Sequence, residues 1–421
     1  MVRPTPALAA AALSAVSSVV SADVNHATLE GMTVWGYQGW YTGNWKWFSP
    51  AEVIAGPPTG DQRVLTDYIP YVADYPEECR EPTNFVLADG STANWYYSNC
   101  SAVVEKHFQY MQKYKIDGVF VQRFDGAANP NDQYYEAGVQ VLQWVRQYAE
   151  QYGKYFAVEY DYSGLKPSSD PSTYLSILKD DFTKTVKPLF DSPSYIYQDG
   201  KPVIEIYGGG FDNGGTGPQF QSLFDTMAST GVTPWKILGV PWTWQQQQPP
   251  ANDPNQNWDL FQSVDCIQPW GVGSYNSASD FANYYKNALK TGKATADSLG
   301  IKFSPVIHAG TENSNAAFNK SSGVPKGAFG QGRANSTLLQ YSLGNVTSAD
   351  LKPHFVFGAM FDEYTEGSQI LPALSWNELP PNPNPGFAGY DDGADPYVYL
   401  DIAGQWTAEF HRTWGQQPLS P

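Results

Sequence analysis

The chain has 421 residues, with 42 acidic against 25 basic side chains, a formal net charge of −17 and a pI near 4.6. A field of that sign repels polyanions, which excludes nucleic acid as an expected partner. Charged residues are only 16% of the chain while aromatics reach 15%, with 38 Gly and 32 Pro, so a large core, many shaped loops and recesses for Trp and Tyr rings are expected.

Residues 1–22, MVRPTPALAAAALSAVSSVVSA, combine one Arg, a short apolar stretch and small residues at Val20 and Ala22. This pattern predicts a secretory signal peptide cut before Asp23 and an extracellular protein; a monomer is expected. No later segment offers the roughly 18 uninterrupted apolar residues of a membrane span, so no membrane partner is expected.

From residue 23 onward, short β-prone runs recur at 32–37, 116–122, 155–160, 202–207, 236–240, 266–270, 302–307 and 355–360. They are continuous apolar runs rather than alternations, as in parallel strands covered on both faces. Helical spacing lies between them, at 101–114, 132–153, 170–186 and 277–300, with a last helix at 397–414. Alternation of this kind predicts an α/β fold, a single (β/α)8 TIM barrel over 23–421 with long strand-end loops. No linker or internal repeat divides it, and insertions over 41–100 and 308–352 account for the extra length.

In an oxidising compartment Cys79 and Cys100, flanking a loop-like stretch, are expected to pair, leaving Cys266 buried and free. Sequons at Asn319, Asn335 and Asn345 predict a glycosylated surface excursion over 313–350 if the source is a eukaryote, with Asn99 a weaker fourth acceptor.

Chemistry in such a barrel gathers where the strands end. Strand one runs through Tyr37 into Gln38, Trp40 and Tyr41; strand two into Arg123 and Asp125; strand three carries Glu159 and Asp161; strand four carries Glu205. Trp242 and Trp244 follow strand five, Trp270 ends strand six, His308 ends strand seven, and Asp362, Glu363 and Glu366 follow strand eight. Acids beside aromatic rings suit an oligo- or polysaccharide, whose hydroxyls meet carboxylates and whose C–H faces meet rings. Each residue also has a structural reading: Arg123 as one half of an ion pair, Glu159, Asp161 and Glu205 as salt-bridge partners, His308 as a wall residue, the Trp side chains as core plugs. GGGFDNGG (208–215) lacks phosphate-loop spacing, and neither H-E-x-x-H, a Cys/His cluster nor G-x-S-x-G occurs, so no cofactor or metal is expected and no serine nucleophile is marked.

Alternation along a strand would send residues 363 and 366 to opposite faces. The strand is therefore expected to end near Glu363, with Tyr364 and Thr365 turning and Gly367 free to take the angles the turn needs. The Trp-Asn-Glu of 376–378 follows no strand and reads as a surface feature.

FDEYTEG (361–367) resembles the W-N-E-W-x-E-G segment of glycoside hydrolase family 99, and GYQGWY, IDGVFVQRF and FAVEYDYSG look like family-99-like and family-71-like secreted proteins often labelled xylosidase or arabinosidase. The resemblance spans most of residues 30–415 and implies a (β/α)8 barrel. By position it implies that Glu363 is the base on the substrate 2-hydroxyl, through a 1,2-anhydro sugar, and Glu366 the general acid and then base. The implied activity is that of a retaining, endo-acting α-glycosidase on an α-mannan or α-glucan. Alternatives are an exo-acting xylosidase or arabinosidase, or a sugar-binding barrel without catalysis. Phe361, Asp362 and Tyr364 depart from the segment's Trp, Asn and Trp, which leaves Asp362 without an assigned role.

Overall fold

The computed structural model describes residues 26–42, 66–162, 171–212, 215–249, 252–312, 315, 333, 336–381, 387–390 and 395–415. The expected signal peptide, Asn319 and Asn335 lie outside them, as does the side chain of Asp125.

Parallel strands form the barrel wall: β1 (Thr33–Tyr37), β2 (Gly118–Arg123), β3 (Tyr155–Asp161), β4 (Lys201–Tyr207), β5 (Trp235–Pro241), β6 (Cys266–Trp270), a split β7 (Lys302–Phe303 and Val306–His308) and β8 (Val356–Ala359). Each pairs with its neighbour in sequence, and β1 pairs with β8 through Thr33↔Val356, Val34↔Phe357 and Trp35↔Gly358. Pro305 interrupts β7 because proline has no N–H to give the ladder. Its first piece pairs with β6 and its second with β8, so the two ends of the hydrogen-bonded path are one continuous segment and the wall closes.

Burial explains the apolar runs, since every residue of β1 and β8 is buried. Around the wall, the helices Ser101–Tyr114 and Tyr135–Tyr152 turn stripes that include Val104, Phe108, Met111, Val141, Leu142 and Val145 inward. The second stops at Gly153, whose φ of 61° is the left-handed value expected of a glycine stop. The last helix, Val398–Thr413, approaches the first so closely that a Cβ on Gly404 would lie 1.6 Å from the Tyr114 carbonyl oxygen.

The expected helix over 170–186 is α-helical only over Pro171–Asp181 before a π turn, Phe182–Val186, and a second π turn, Tyr285–Leu289, divides the one over 277–300. Helices Gly217–Ala228, Asn257–Ser263 and Thr337–Val346 lie outside the helical ranges the sequence predicts. The first had a legible start: Thr216 and Gln219 form a reciprocal capping box. Within the first insertion, strands Arg80–Val86 and Thr92–Tyr96 make an antiparallel hairpin, and Cys79 is disulfide-bonded to Cys100 at the N-cap of the first helix while Cys266 is free and buried. Asn345 lies within the helix Thr337–Val346, its side chain donating to the Tyr341 carbonyl, and Thr347 of the same sequon is buried. None of the described helices is long and apolar enough to cross a membrane.

Candidate active site

A cleft of about 260 Å³ opens where the strands end. It is lined by Gln38 and Trp40 after β1, Gln122 and Phe124 at the end of β2, Glu159 and Asp161 on β3, Tyr207 closing β4, Trp270 closing β6, and Met360, Glu363, Glu366 and Ser368 after β8. Trp40 stacks on Phe124 with centroids 4.9 Å apart and 22° between planes, and Trp270 meets Tyr207 edge-on at 4.9 Å. The cleft thus offers aromatic walls around carboxyl groups.

Strand β8 stops at Ala359, four residues before the expected end. Beyond it Met360 and Phe361 form a neck: the Phe361 N–H donates to the Gly36 carbonyl (2.7 Å), the Met360 N–H to Ser368, and the Ile370 N–H is shared between Met360 and Phe361. Residues 362–368 close into a tight loop above that neck. The Glu363 carbonyl accepts from the N–H groups of Ser368 (3.0 Å) and Gln369 (3.1 Å), and Gly367 adopts φ 62°. This loop, rather than a continued strand, brings Glu363 and Glu366 to one cleft.

Glu363 is 1% exposed, yet its Oε1 is heavily held. It accepts from the Thr365 N–H (2.7 Å), the Thr365 hydroxyl, the Glu366 N–H (3.1 Å) and the Tyr41 hydroxyl (3.4 Å). Its Oε2 has no hydrogen-bond partner among the described residues. Burial, and then the charge of Glu366, raise the carboxyl well above the usual range, while the Thr365 hydrogen bond pulls the other way. A raised carboxyl is a stronger base once ionised. Glu366 itself is exposed at the rim.

Across the cleft, Glu159 and Glu205 are register partners on β3 and β4. Both are buried, and Gln122 donates to Asp161 (2.6 Å) while Gln268 donates to Glu205 (3.2 Å). Burial, followed by the charges of Glu205 and Asp161, pushes Glu159 up; burial also lifts Glu205 to about 8, against the Gln268 hydrogen bond. Glu205 lies below the lining, not in it.

Other candidates part from the cleft for visible reasons. Arg123 is 1% exposed and forks onto Asp181, with Nε donating to Oδ2 at 2.8 Å, so the ion-pair reading describes it. His308 is fully buried, stacked on Tyr275 at 4.3 Å, and burial lowers it to about 3, so it is a neutral wall residue. Tyr37 points away from the cleft, its hydroxyl bonded to His107 Nδ1 (2.9 Å). Trp242 is 41% exposed and edges onto Tyr284, while Trp244 is a core plug at 0%. Asp362 is buried beneath the loop, accepting from the Gln38 and Gly39 N–H groups. Trp376 is 50% exposed and Glu378 caps its own turn at Ser375, as a surface feature does.

Reading by strand ends missed Arg333. This buried guanidinium donates to the carbonyls of Gly367 (2.9 Å) and Gln369 (2.6 Å) and sits over the rings of Tyr68, Tyr390 and Tyr399 at 4.9, 5.0 and 4.5 Å. It fastens the far side of the 362–368 loop. Its place in the long 308–352 insertion gave no signal. Thr365 and Tyr41, which hold Glu363, could have been found as hydroxyl donors beside the acid and in the strand-one aromatic run.

No family model and no curated protein matches this sequence. Among solved structures, the fold is similar to that of the family 99 endo-α-mannosidase from Bacteroides thetaiotaomicron, with a TM-score of 0.62, 16% identity, and coverage of 92% of this chain and 100% of that one. A structure described as the family 99 endo-α-mannosidase from the same organism in complex with bis-tris-propane gives a TM-score of 0.60 at 16% identity, covering 92% and 99% of the two chains. This likeness extends over nearly the whole chain and establishes a shared (β/α)8 barrel fold.

Proposed function

We propose that the protein is a secreted glycoside hydrolase, an endo-acting retaining α-glycosidase for an α-mannan or α-glucan. The observation that carries the reading is the state of Glu363: one oxygen is held by its own loop and Tyr41, the other is unpartnered among the described residues, and the residue lines a cleft whose rim carries Glu366. A proton acceptor must be fixed in place while keeping a lone pair for the substrate. The barrel shared with an endo-α-mannosidase supports the same class of reaction, and the disulfide together with the leader-like start supports export.

In this reading the sugar lies against Trp40, Phe124 and Trp270. On an α-mannoside, whose 2-hydroxyl stands trans to the leaving oxygen, Glu363 Oε2 takes the proton of the 2-hydroxyl as that oxygen attacks the anomeric carbon, and Glu366 gives its proton to the departing glycosidic oxygen. Water then opens the 1,2-anhydro ring: Glu366 takes the water's proton, Glu363 returns one to the 2-oxygen, and the product keeps the α configuration.

The test is incubation with α-mannans, α-1,3-glucan and arabinoxylans, reading product lengths and following the first-formed anomer by NMR. Oligosaccharides released as α-anomers are expected from one of the α-glycans. Glu363→Gln and Glu366→Gln are each expected to lower the rate by about 10²- to 10⁴-fold with an unchanged far-UV spectrum. Undiminished turnover in either variant would falsify the assignment. Single sugars as the sole product would favour an exo-acting enzyme, and binding without turnover a sugar-binding barrel.

A further inference from the structure

We propose that Asp362 is a positioning residue, a buried latch that sets the Gln38–Trp40 wall of the cleft against the loop bearing Glu363 and Glu366. The inference rests on the glycosidase reading for the ligand it concerns, and on separate contacts for its geometry.

Asp362 immediately precedes the proposed base but does not face the cleft. It is 0% exposed, and each of its oxygens takes one N–H from consecutive residues at the end of β1: Oδ1 from Gln38 at 2.7 Å, Oδ2 from Gly39 at 2.8 Å. A carboxylate receiving two adjacent amides fixes the orientation of that peptide as well as its distance. The amides follow the last strand residue, so their placement decides where the next side chains point. Gln38 and Trp40, on either side of Gly39, both line the cleft.

Gly39 is confined from the other side as well. It holds φ +59°, and a Cβ there would lie 2.7 Å from Val141 Cγ1. The turn is thus clamped between the helix Tyr135–Tyr152 and Asp362, with Trp40 seated on Phe124 beyond it. Around the carboxyl stand Tyr37, Tyr41, Tyr75, Tyr96, Tyr364 and Glu363, with no cation among them, and burial lifts it to about 7 against the pull of the two amides. A buried acid without a cation is costly to keep, so its two amide contacts are the feature that accounts for it.

An amide side chain at 362 can accept one N–H but turns its own NH₂ toward the other. Asp362→Asn is therefore expected to release one end of the latch and raise KM for the glycan about tenfold, with kcat within about threefold, since a hydrogen bond to a charged group is worth roughly one to two decades in binding. Trp40→Ala should raise KM similarly, and the double variant should raise it by clearly less than the product of the two single effects, because Asp362 acts largely through the wall to which Trp40 belongs. Gly39→Ala, which displaces the same amides from the opposite side, should reproduce the KM rise with Asp362 intact, and serves if Asp362→Asn does not fold. An unmoved KM in the folded variants, a fall in kcat with KM retained, or additive effects in the double variant would overturn the latch while leaving the glycosidase reading standing. A parent protein that neither hydrolyses nor binds any glycan would overturn both.

Discussion

The acids of the β8 loop and those of β3 and β4 stand at one cleft, Glu205 just below its lining, and they are held by different means. Glu363 sits in a loop that supplies its own donors, two backbone N–H groups and a hydroxyl within three residues, with Tyr41 behind them. Glu159 and Glu205 sit on rigid strands side by side, pushed up by burial, and only Glu205 has an amide side chain donating to it. Burial raises the carboxyls in both arrangements, and the first adds loop donors that fix one oxygen of Glu363 in place. Residue type alone distinguishes none of this, since all are glutamates near strand ends; the difference lies in the loop donors, because burial and neighbouring acids raise Glu363 and Glu159 alike.

If loop donors matter to rate and strand neighbours matter to protonation, substitutions on the two sides should move different observables. Among residues that support the acids, the largest effect is expected from Arg333→Met, which frees the carbonyls of Gly367 and Gln369: kcat should fall about tenfold or more, with a lower Tm, because two charge-assisted hydrogen bonds are lost. Wild-type kcat in that variant would show that the loop holds itself. Thr365→Val removes the hydroxyl donated to Glu363 and should push that carboxyl still higher, moving the alkaline-going rise of the rate profile upward in pH with a loss of roughly threefold to tenfold at neutral pH. An unshifted profile would separate Thr365 from the proton transfer.

Glu205→Gln should have the smallest effect on rate, within about threefold, and its signature is in stability. The carboxyl of Glu205 in the folded protein stands near 8, above its unfolded value, so its favourable contribution is complete at pH below about 4.5 and is lost as pH rises through about 8. The parent Tm is accordingly expected to drop between pH 5 and 8, and the amide variant to show a flatter slope. Parallel slopes for parent and variant would break the contrast drawn between the two groups.

The barrel was legible because its strands are apolar on both faces, a pattern that survives without knowledge of contacts. Strand order followed from chain order, while the ends did not: β8 stops at Ala359 because Phe361 bonds to Gly36 and Ile370 returns to the neck, contacts set by residues far apart in sequence or on the next turn. Side-chain destinations divided in the same way. Trp40, Trp270, Glu159 and Asp161 were readable from strand-end position, whereas Arg123 was claimed by Asp181, 58 residues away, and His308 by the ring of Tyr275. Arg333 was invisible because its partners are three tyrosines from three separate segments and two backbone carbonyls, none of which leaves a local mark.

Pairing of β1 with β8 has a consequence for how the protein is made. Gln38 and Asp362 are 324 residues apart, and Tyr41 and Glu363 are 322 apart, so the contacts that assemble the cleft span most of the chain. Contacts so distant in sequence form late, after the nearer strands have found one another. A growing chain emerging at about 5–20 residues per second carries seven strand segments of the wall well before the acids of residues 362–366 appear. The cleft, and with it the proposed activity, would thus be the last feature the polypeptide completes, and a chain shortened before β8 would lack the acids of residues 362–366 however well the rest had folded.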